Sequence, residues 1–160
     1  RGEKYEGQFV NGKKCGPGKQ WCGNESGEPP FDIYVGEFKN DYFHGEGTMH
    51  KANGEVYVGS WAKGLRHGYG ETTNLGGNRR YSYKGHYMRG LYHGQGTLDN
   101  ADQGRYSGMW RLGLKHGAGR TEFADGGVFV GIYNDNVYKR GKLRNGNGDE
   151  YEGRFDAHGL

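Results

Sequence analysis

Three shortages in the sequence exclude whole classes of protein. Only 3 of the 160 residues are proline, which excludes collagen and proline-rich linkers. No apolar run approaches the ~18 residues that a membrane-spanning helix needs. Leu, Ile, Val and Phe together number 24, which is too few to fill a thick core between two layers. We therefore expect a fold that repeats a thin unit.

A low aliphatic content is also typical of disordered chains, but two numbers argue against disorder. The net charge is only +3, and aromatic residues make up 14% of the chain. This charge is too mildly basic to indicate binding of nucleic acid, and the basic residues are not interleaved with the aromatic ones. Cys15 and Cys22 lie on one extended segment, ~23 Å apart, which is too far for them to bridge each other. The cysteine content favours a reducing, intracellular compartment.

Glycine is abundant, with 34 residues, and much of it recurs at a fixed spacing. A triplet of aromatic residue, any residue and glycine occurs seven times, usually 23 residues apart. A second aromatic residue follows two positions after each triplet glycine, so that 14 of the 23 aromatic residues fall in two columns. A pair of glycines comes nine and eleven positions after the triplet glycine in five units, and His precedes the pair in four of them. The triplet glycines are Gly7, Gly36, Gly59, Gly85, Gly108, Gly131 and Gly153.

Each unit has the pattern of a β-hairpin. Its first strand, such as the segment 57–61, alternates with period two, and pairs such as Asn53-Gly54 form turns between units. We expect a loop of about six residues within each hairpin, with a left-handed backbone at its third position. Symmetric pairing about this loop predicts that Trp61 faces Gly68, Gly59 faces Gly70 and Tyr57 faces Thr72, so that a ring lies over a glycine. The third loop positions are Gly12, Asp41, Gly64, Gly90, Gly113 and Asn136.

The predicted fold is all-β, a single-layer elongated twisted antiparallel sheet of stacked hairpins. One array fills residues 1–160, with six hairpin units and the first strand of a seventh, which makes about thirteen strands. Because both ends of the sequence fall inside recurring motifs, we expect the chain to be a fragment of a longer protein. No helix is predicted.

The repeated signature resembles that of the MORN (membrane occupation and recognition nexus) repeat family. The third unit reads Tyr57-x-Gly59-x-Trp61-x-x-Gly64-x-x-His67-Gly68-x-Gly70, and the resemblance runs from about Tyr5 to Phe155. It implies a groove-bearing rod that serves as a non-catalytic module, for example in membrane-junction, ciliary and cytoskeletal proteins. The first unit departs from the signature, with Cys15 in place of His and a long loop from Cys22 to Asp32. The sixth unit carries Arg140-Gly141-Lys142 in place of the glycine pair, and we expect both units to be caps or specialised contacts.

The sequence contains no convincing catalytic motif. Gly7 to Lys13 has the spacing of a phosphate-binding loop, but Lys14 stands where Ser or Thr would hold Mg²⁺. The histidine column cannot form a zinc site, because neighbouring units are ~9–10 Å apart. We therefore predict a protein without enzymatic activity, cofactor or metal, in which the histidines close loops by hydrogen bonds.

Binding is the remaining function, and the two faces of the sheet differ. The aromatic face is predicted to be a partly accessible trough for a helix or an extended peptide, with Trp61, Tyr87 and Trp110 among the contacts. The opposite face is predicted to begin polar, with the pairs Glu37–Glu46, Ser60–Tyr69 and His86–Gln95, and to end apolar, with Met109, Val130, Ile132 and Leu143. The apolar residues are candidates for docking a partner protein, a second copy in a homodimer, or parts of the protein outside this sequence.

The densest group of cations is Lys139, Arg140, Lys142 and Arg144. It is a candidate site for anionic lipid, although a solvated strand that resists edge pairing has the same composition. Together with the binding surfaces, the resemblance to the MORN family implies a protein-binding scaffold of a cytoskeletal, ciliary or flagellar assembly inside the cell. The alternative is a peripheral membrane tether that binds anionic phospholipid.

Overall fold

The computed structural model describes residues 4–23, 31–76 and 80–155. These residues form thirteen antiparallel strands in one open sheet, in which the strands follow the order of the sequence, and they include no helix. The predicted single-layer sheet of stacked hairpins is therefore confirmed. The strands are β1 (Lys4–Val10), β2 (Lys13–Cys22), β3 (Asp32–Lys39), β4 (Tyr42–His50), β5 (Glu55–Ala62), β6 (Leu65–Asn74), β7 (Tyr81–Met88), β8 (Leu91–Asn100), β9 (Gly104–Arg111), β10 (Leu114–Glu122), β11 (Val128–Asn134), β12 (Val137–Arg144) and β13 (Glu150–Arg154).

The two strands of each unit are joined by a two-residue turn, and the expected loop of six residues is wrong. In unit 3, β5 ends at Ala62 and β6 begins at Leu65, so that only Lys63 and Gly64 lie between them. Their φ angles are +51° and +80°. Two consecutive left-handed residues twist the turn in the same sense as the strands, so the pairing continues to the tip. The left-handed backbone predicted for the third loop position is confirmed in all six units.

A continuous row of glycines crosses the sheet, with one glycine from each strand paired to the glycine of the next. The ring of the first-column aromatic residue lies flat over this row. A Cβ atom at Gly70 would lie 2.6 Å from Cε2 and Cζ of Tyr57, so only glycine leaves room for the ring. We call this feature the glycine row; its members are Gly7, Gly18, Gly36, Gly47, Gly59, Gly70, Gly85, Gly96, Gly108, Gly119, Gly131, Gly141 and Gly153.

The first glycine of each predicted pair has a different role. The pairing of Gly59 with Gly70 and of Tyr57 with Thr72 is confirmed, but Trp61 pairs with Arg66. Gly68 lies in a β-bulge, where three residues oppose one residue of β5, and its φ is +72°. The prediction that Trp61 covers Gly68 is therefore wrong, because the bulge takes Gly68 out of the regular alternation of the strand.

The sixth unit keeps the glycine row although it lacks the glycine pair. Its bulge is one residue shorter, because only Lys139 and Arg140 oppose Ile132. Gly141 then pairs with Gly131 and completes the row. The departure from the repeat signature is thus a deletion within the bulge.

The core is a single layer of rings on one face of the sheet, which we call the aromatic face; the opposite face is the outer face. The first-column rings from Tyr34 to Phe129 are at most 2% exposed. Neighbouring rings meet edge to face: the centroids of Tyr57 and Trp61 are 5.0 Å apart at an angle of 88°. Six first-column tyrosines also donate a hydrogen bond to the carbonyl oxygen three residues later, as Tyr57 does to Ser60 at 2.9 Å. Edge-to-face packing and these hydrogen bonds fix the rings in a core that has almost no aliphatic side chains.

Candidate functional site

The aromatic residues predicted to contact a partner lie inside the core. Trp61, Tyr87 and Trp110 are 6%, 3% and 5% exposed. Each packs against first-column rings on both sides; the ring of Tyr87, for example, lies 5.2 Å from that of Tyr57 and 5.1 Å from that of Tyr83. The prediction that these rings line an accessible trough is therefore wrong, and their contacts stabilise the sheet.

A third column of residues, which the sequence analysis missed, covers the rings and is half-buried. We call it the covering column, and each member stands seven positions after the triplet glycine of its unit. In alternate units it is a cation over a tyrosine ring, as Arg66 lies 4.8 Å from the ring centroid of Tyr57. In the other units it is a stacked ring, as Tyr92 lies 3.7 Å from Tyr83. The covering column is Lys14, Phe43, Arg66, Tyr92, Lys115 and Tyr138.

The alternation extends to the hydrogen bonds between units. The hydroxyl groups of Thr72 and Tyr87 are 2.6 Å apart, and this bond joins unit 3 to unit 4. The indole Nε1 of Trp61 donates to the carbonyl of Gly47 at 3.1 Å, and this bond joins unit 2 to unit 3. The same two bonds recur one doublet later, as Thr121–Tyr133 and Trp110–Gly96. The structural period is therefore two units, a doublet of one cationic and one aromatic unit, although the sequence signature repeats every unit.

The three cations of the covering column differ in their neutralisation. Arg66 forms an ion pair with Glu55, which also accepts a hydrogen bond from Tyr81. Burial disfavours the charge of Glu55, but these hydrogen bonds outweigh it and lower its pKa. Within the described residues, the ammonium of Lys115 meets only tyrosine rings, the nearer at 4.9 Å, and burial lowers the pKa of Lys115. Lys14 also meets no carboxylate there, since its ammonium donates a hydrogen bond to the amide oxygen of Gln20 at 2.8 Å. Among the described residues, the aromatic face thus has two half-buried cations without a carboxylate, Lys14 and Lys115.

Three of the four apolar residues predicted for the outer face are exposed there. Met109, Val130 and Ile132 are 41%, 47% and 46% exposed. Leu143 is not on this face: it pairs with Phe129 and packs against the core. Its predicted position on the outer face is wrong, because the shorter bulge of unit 6 shifts the register of β12 by one residue.

The cations proposed as a lipid site belong to the same outer-face surface. Arg140, Lys142 and Arg144 alternate along β12 and pair with Ile132, Val130 and Val128 of β11, of which the first two are exposed. Lys139 is exposed in the bulge beside them. Lys142 forms an ion pair with Glu150 at 2.7 Å. A hollow of about 280 Å³ lies between the valines of β11 and these cations.

Arg154 enlarges this basic group and was not predicted from the sequence. It pairs with Arg140 across β12 and β13. Neither guanidinium forms an ion pair with a carboxylate of residues 4–23, 31–76 or 80–155. Like charges directly opposite each other destabilise a sheet, so this pair is a local cost to the fold. The sequence shows only that an arginine follows Gly153. That this arginine lies opposite Arg140 can be recognised only when the pairing of β13 is known.

The early part of the outer face carries the predicted polar side chains and also exposes aliphatic ones, which were not predicted there. Val35 and Val58 are 46% and 52% exposed. Glu37 and Glu46 stand beside the glycine row on β3 and β4, and Glu46 accepts a hydrogen bond from the hydroxyl of Ser60 at 2.6 Å. A hollow of about 600 Å³ lies at Val58 and Glu46.

The bulges also change which outer-face residues pair. The pairs predicted within units form between units instead, because the bulge separates the two residues within each hairpin. The observed pairs are Glu46–Ser60, Tyr69–His86, Gln95–Met109 and Ala118–Ile132.

Two residues of the histidine column make hydrogen bonds near the hairpin tips. His116 Nδ1 lies 3.2 Å from the carboxylate of Asp135, and His93 Nδ1 accepts a bond from the amide of Leu112 at 3.4 Å. In the part of the chain that the structure describes, no group of three or more His, Cys, Asp or Glu residues could hold a metal ion. The same residues contain no helix long and apolar enough to cross a bilayer.

Stacked hairpins, a one-sided aromatic core and extended surfaces define a β-repeat protein of the binding class. The family profile of the MORN repeat matches residues 5–26, 34–56, 57–74, 83–105 and 106–128, which together exceed half of the chain. The chain therefore belongs to the MORN repeat family. MORN repeats are a non-catalytic motif and generally serve as scaffolds that bind proteins or membranes.

Curated relatives share part of this array. Alsin from Homo sapiens and alsin from Mus musculus are each 36% identical to this chain over 69 residues. The matched segment is 43% of this chain and 4% of each alsin. The chain thus spans a small fraction of the length of the relatives that it matches.

Proposed function

We propose that the protein is a non-enzymatic scaffold that holds another protein, as a structural component of a cytoskeletal or ciliary assembly inside the cell. One observation carries the proposal: Met109 on β9 and Val130 and Ile132 on β11 expose apolar side chains on the outer face, on the two strands that flank β10. Antiparallel sheets usually place polar residues on a solvated face, so an apolar group there marks a contact surface. Membership of a family of binding repeats supports the same conclusion.

Replacing Val130 and Ile132 with Asp tests this surface. A few buried anchors carry most of the binding energy of an interface, so the double variant should bind the partner at least about tenfold more weakly. The partner is first identified by pull-down from cytoskeletal extract and is then titrated as a purified protein. An unchanged far-UV circular dichroism spectrum shows that the variant is folded.

Val35→Asp is the matched control. Val35 occupies the same position of its unit as Val130 and is 46% exposed, against 47%. It should leave the titration unchanged. Retention of the partner by the Val130/Ile132 double variant would contradict the assignment and move the contact to the covering column on the aromatic face.

A peripheral membrane tether is the second candidate function. The observation in its favour is that Arg140, Lys142 and Arg144 share one face. Each is worth about 1 kcal/mol near an anionic membrane, but the charge of Lys142 is already neutralised by Glu150. Exposed charges are also screened beyond ~8 Å at physiological salt. We therefore rank this function second.

Sedimentation with phosphatidylserine vesicles tests the tether. The parent should bind little at physiological salt, and a variant with Gln at Lys139, Arg140, Lys142 and Arg144 should bind no more. Strong, salt-resistant binding of the parent that this variant abolishes would reverse the ranking.

A further inference from the structure

The outer face carries opposite charges at its two ends, in one row of the sheet. The row consists of the residues next to the glycine row on its hairpin-tip side. It is acidic at Glu37 and Glu46, on β3 and β4, and basic at Arg140 and Arg154, on β12 and β13. Nine strand spacings separate Glu37 on β3 from Arg140 on β12, which is ~43 Å along the sheet.

Each charged end lies beside exposed aliphatic side chains. At the acidic end these are Val35 and Val58, and at the basic end Val130 and Ile132. A hollow of about 600 Å³ lies at Glu46 and Val58, and one of about 280 Å³ lies at Val130 and Lys142. The two ends therefore both expose aliphatic side chains, and they carry opposite charges.

The four charges at the two ends lack ionic partners among the described residues. Glu37 and Glu46 form no ion pair, and the carboxylate of Glu46 accepts a hydrogen bond from the hydroxyl of Ser60. Arg140 and Arg154 face each other without a carboxylate. Neighbouring charges are already matched, as Lys84 is by Glu71 at 2.5 Å. The row therefore presents unpaired charge of opposite sign at its two ends, and Lys139 and Arg144, which also lack an ion pair among the described residues, add to the basic end.

We propose that the protein associates with a second copy of itself, with the basic end of one outer face docked on the acidic end of another. This inference goes beyond the proposed function, because it adds a second copy of the chain to the foreign partner as an occupant of the same apolar surface. Charge complementarity selects a second copy, since the chain itself supplies both halves of the contact. The two surfaces in contact are unlike, so the contact is heterologous and extends into a chain of copies unless it closes. The patches are small, so association should be weak and should decrease with salt.

The mass of the whole chain, measured by light scattering and sedimentation velocity over a range of concentrations at low salt, tests the contact. The parent should gain mass with concentration. Arg140→Glu with Arg154→Glu makes both ends acidic, and Glu37→Arg with Glu46→Arg makes both ends basic. Each double variant alone should remain monomeric. An equimolar mixture of the two should associate again, because each then meets an end of opposite charge.

Lys63→Glu with Arg89→Glu is the matched control. It makes the same change of charge at exposed turn residues and should associate like the parent. A monomeric parent, self-association of both double variants, or a mixture that stays monomeric would overturn the proposal. Val35→Asp separates this inference from the proposed function: it should weaken self-association and leave binding of a foreign partner at Val130 unchanged.

Discussion

Gly70→Ala should be among the most damaging small substitutions in the chain. The new methyl group would lie 2.6 Å from two ring carbons of Tyr57. The ring cannot move away, because it is fully buried, donates a hydrogen bond to Ser60 and packs between Trp61 and Tyr87. The substitution therefore overpacks the core.

The expected magnitude follows from this geometry. Overpacking costs about 1–3 kcal/mol, and a ring held on both sides places Gly70→Ala near the upper end. Gly90→Ala is the matched comparison, since Gly90 has a φ of +85° and open space where the methyl group would lie. Its free energy of unfolding should fall by only about 1 kcal/mol, which is the cost of the backbone strain. The row glycine should thus be the more sensitive of the two, although only Gly90 has a left-handed backbone.

Urea unfolding measures both losses, with tryptophan fluorescence and circular dichroism as independent probes. Coincident transitions are required before a free energy of unfolding is assigned, because repeat arrays can unfold in parts. A double-mutant cycle isolates the contact. In a Tyr57→Ala background, Gly70→Ala should cost less than about 1 kcal/mol, because the ring is gone. Equal losses in both backgrounds, or a Gly70→Ala variant as stable as Gly90→Ala, would refute the placement of the ring over the glycine row.

Three further predictions concern the same core. Trp61→Ala should lower the free energy of unfolding by about 3 kcal/mol or more. Trp61→Phe should lower it by about 1 kcal/mol, which is the contribution of the hydrogen bond from Trp61 to Gly47. Equal losses for the two variants in urea unfolding would contradict the role of that bond. Tyr57→Phe should cost about 1 kcal/mol in the same assay, since Phe129 fills the equivalent position without a hydroxyl; a loss as large as that of Trp61→Ala would contradict this. Burial raises the pKa of Tyr57, Tyr92 and Tyr106 to about 12, above the ~10 of an unfolded chain, so stability should be full below pH ~10 and fall as the pH rises towards 12. Urea midpoints that stay constant from pH 9 to 11.5 would show that these hydroxyls ionise as readily in the folded state.

The hairpin array could be predicted because its signals are local and repeated. The alternation within a strand and the spacing of the triplet glycines define each strand, and seven copies leave little room for another fold. The turn length and the bulge could not be predicted, because the sequence does not distinguish the two glycines of a pair. Gly68 and Gly70 look alike in the sequence, yet Gly68 bends the strand and Gly70 makes room for a ring. Once a bulge of three residues is allowed, the remaining loop shortens to two.

The binding surfaces were predicted less well because they depend on register and on contacts between units. A single missing residue in the sixth bulge moves Leu143 from the outer face to the core. The burial of Trp61 follows from rings of the neighbouring unit and from the covering column, which no pattern within one unit reveals. By contrast, Val130 and Ile132 were placed on the outer face by alternation within one strand, which a bulge in the partner strand does not change.

The doublet period limits how such an array can be lengthened or shortened. Removing unit 3 alone would set Tyr87 beside Met49, where its buried hydroxyl would find a thioether in place of the hydroxyl of Thr72. Removing units 3 and 4 together would instead bring Trp110 to the carbonyl of Gly47 and recreate a bond that already exists. The same rule applies to the insertion of units. The array consists of two kinds of unit in alternation. Gain or loss of an even number of units therefore preserves every contact between neighbouring units, whereas an odd number leaves one contact mismatched.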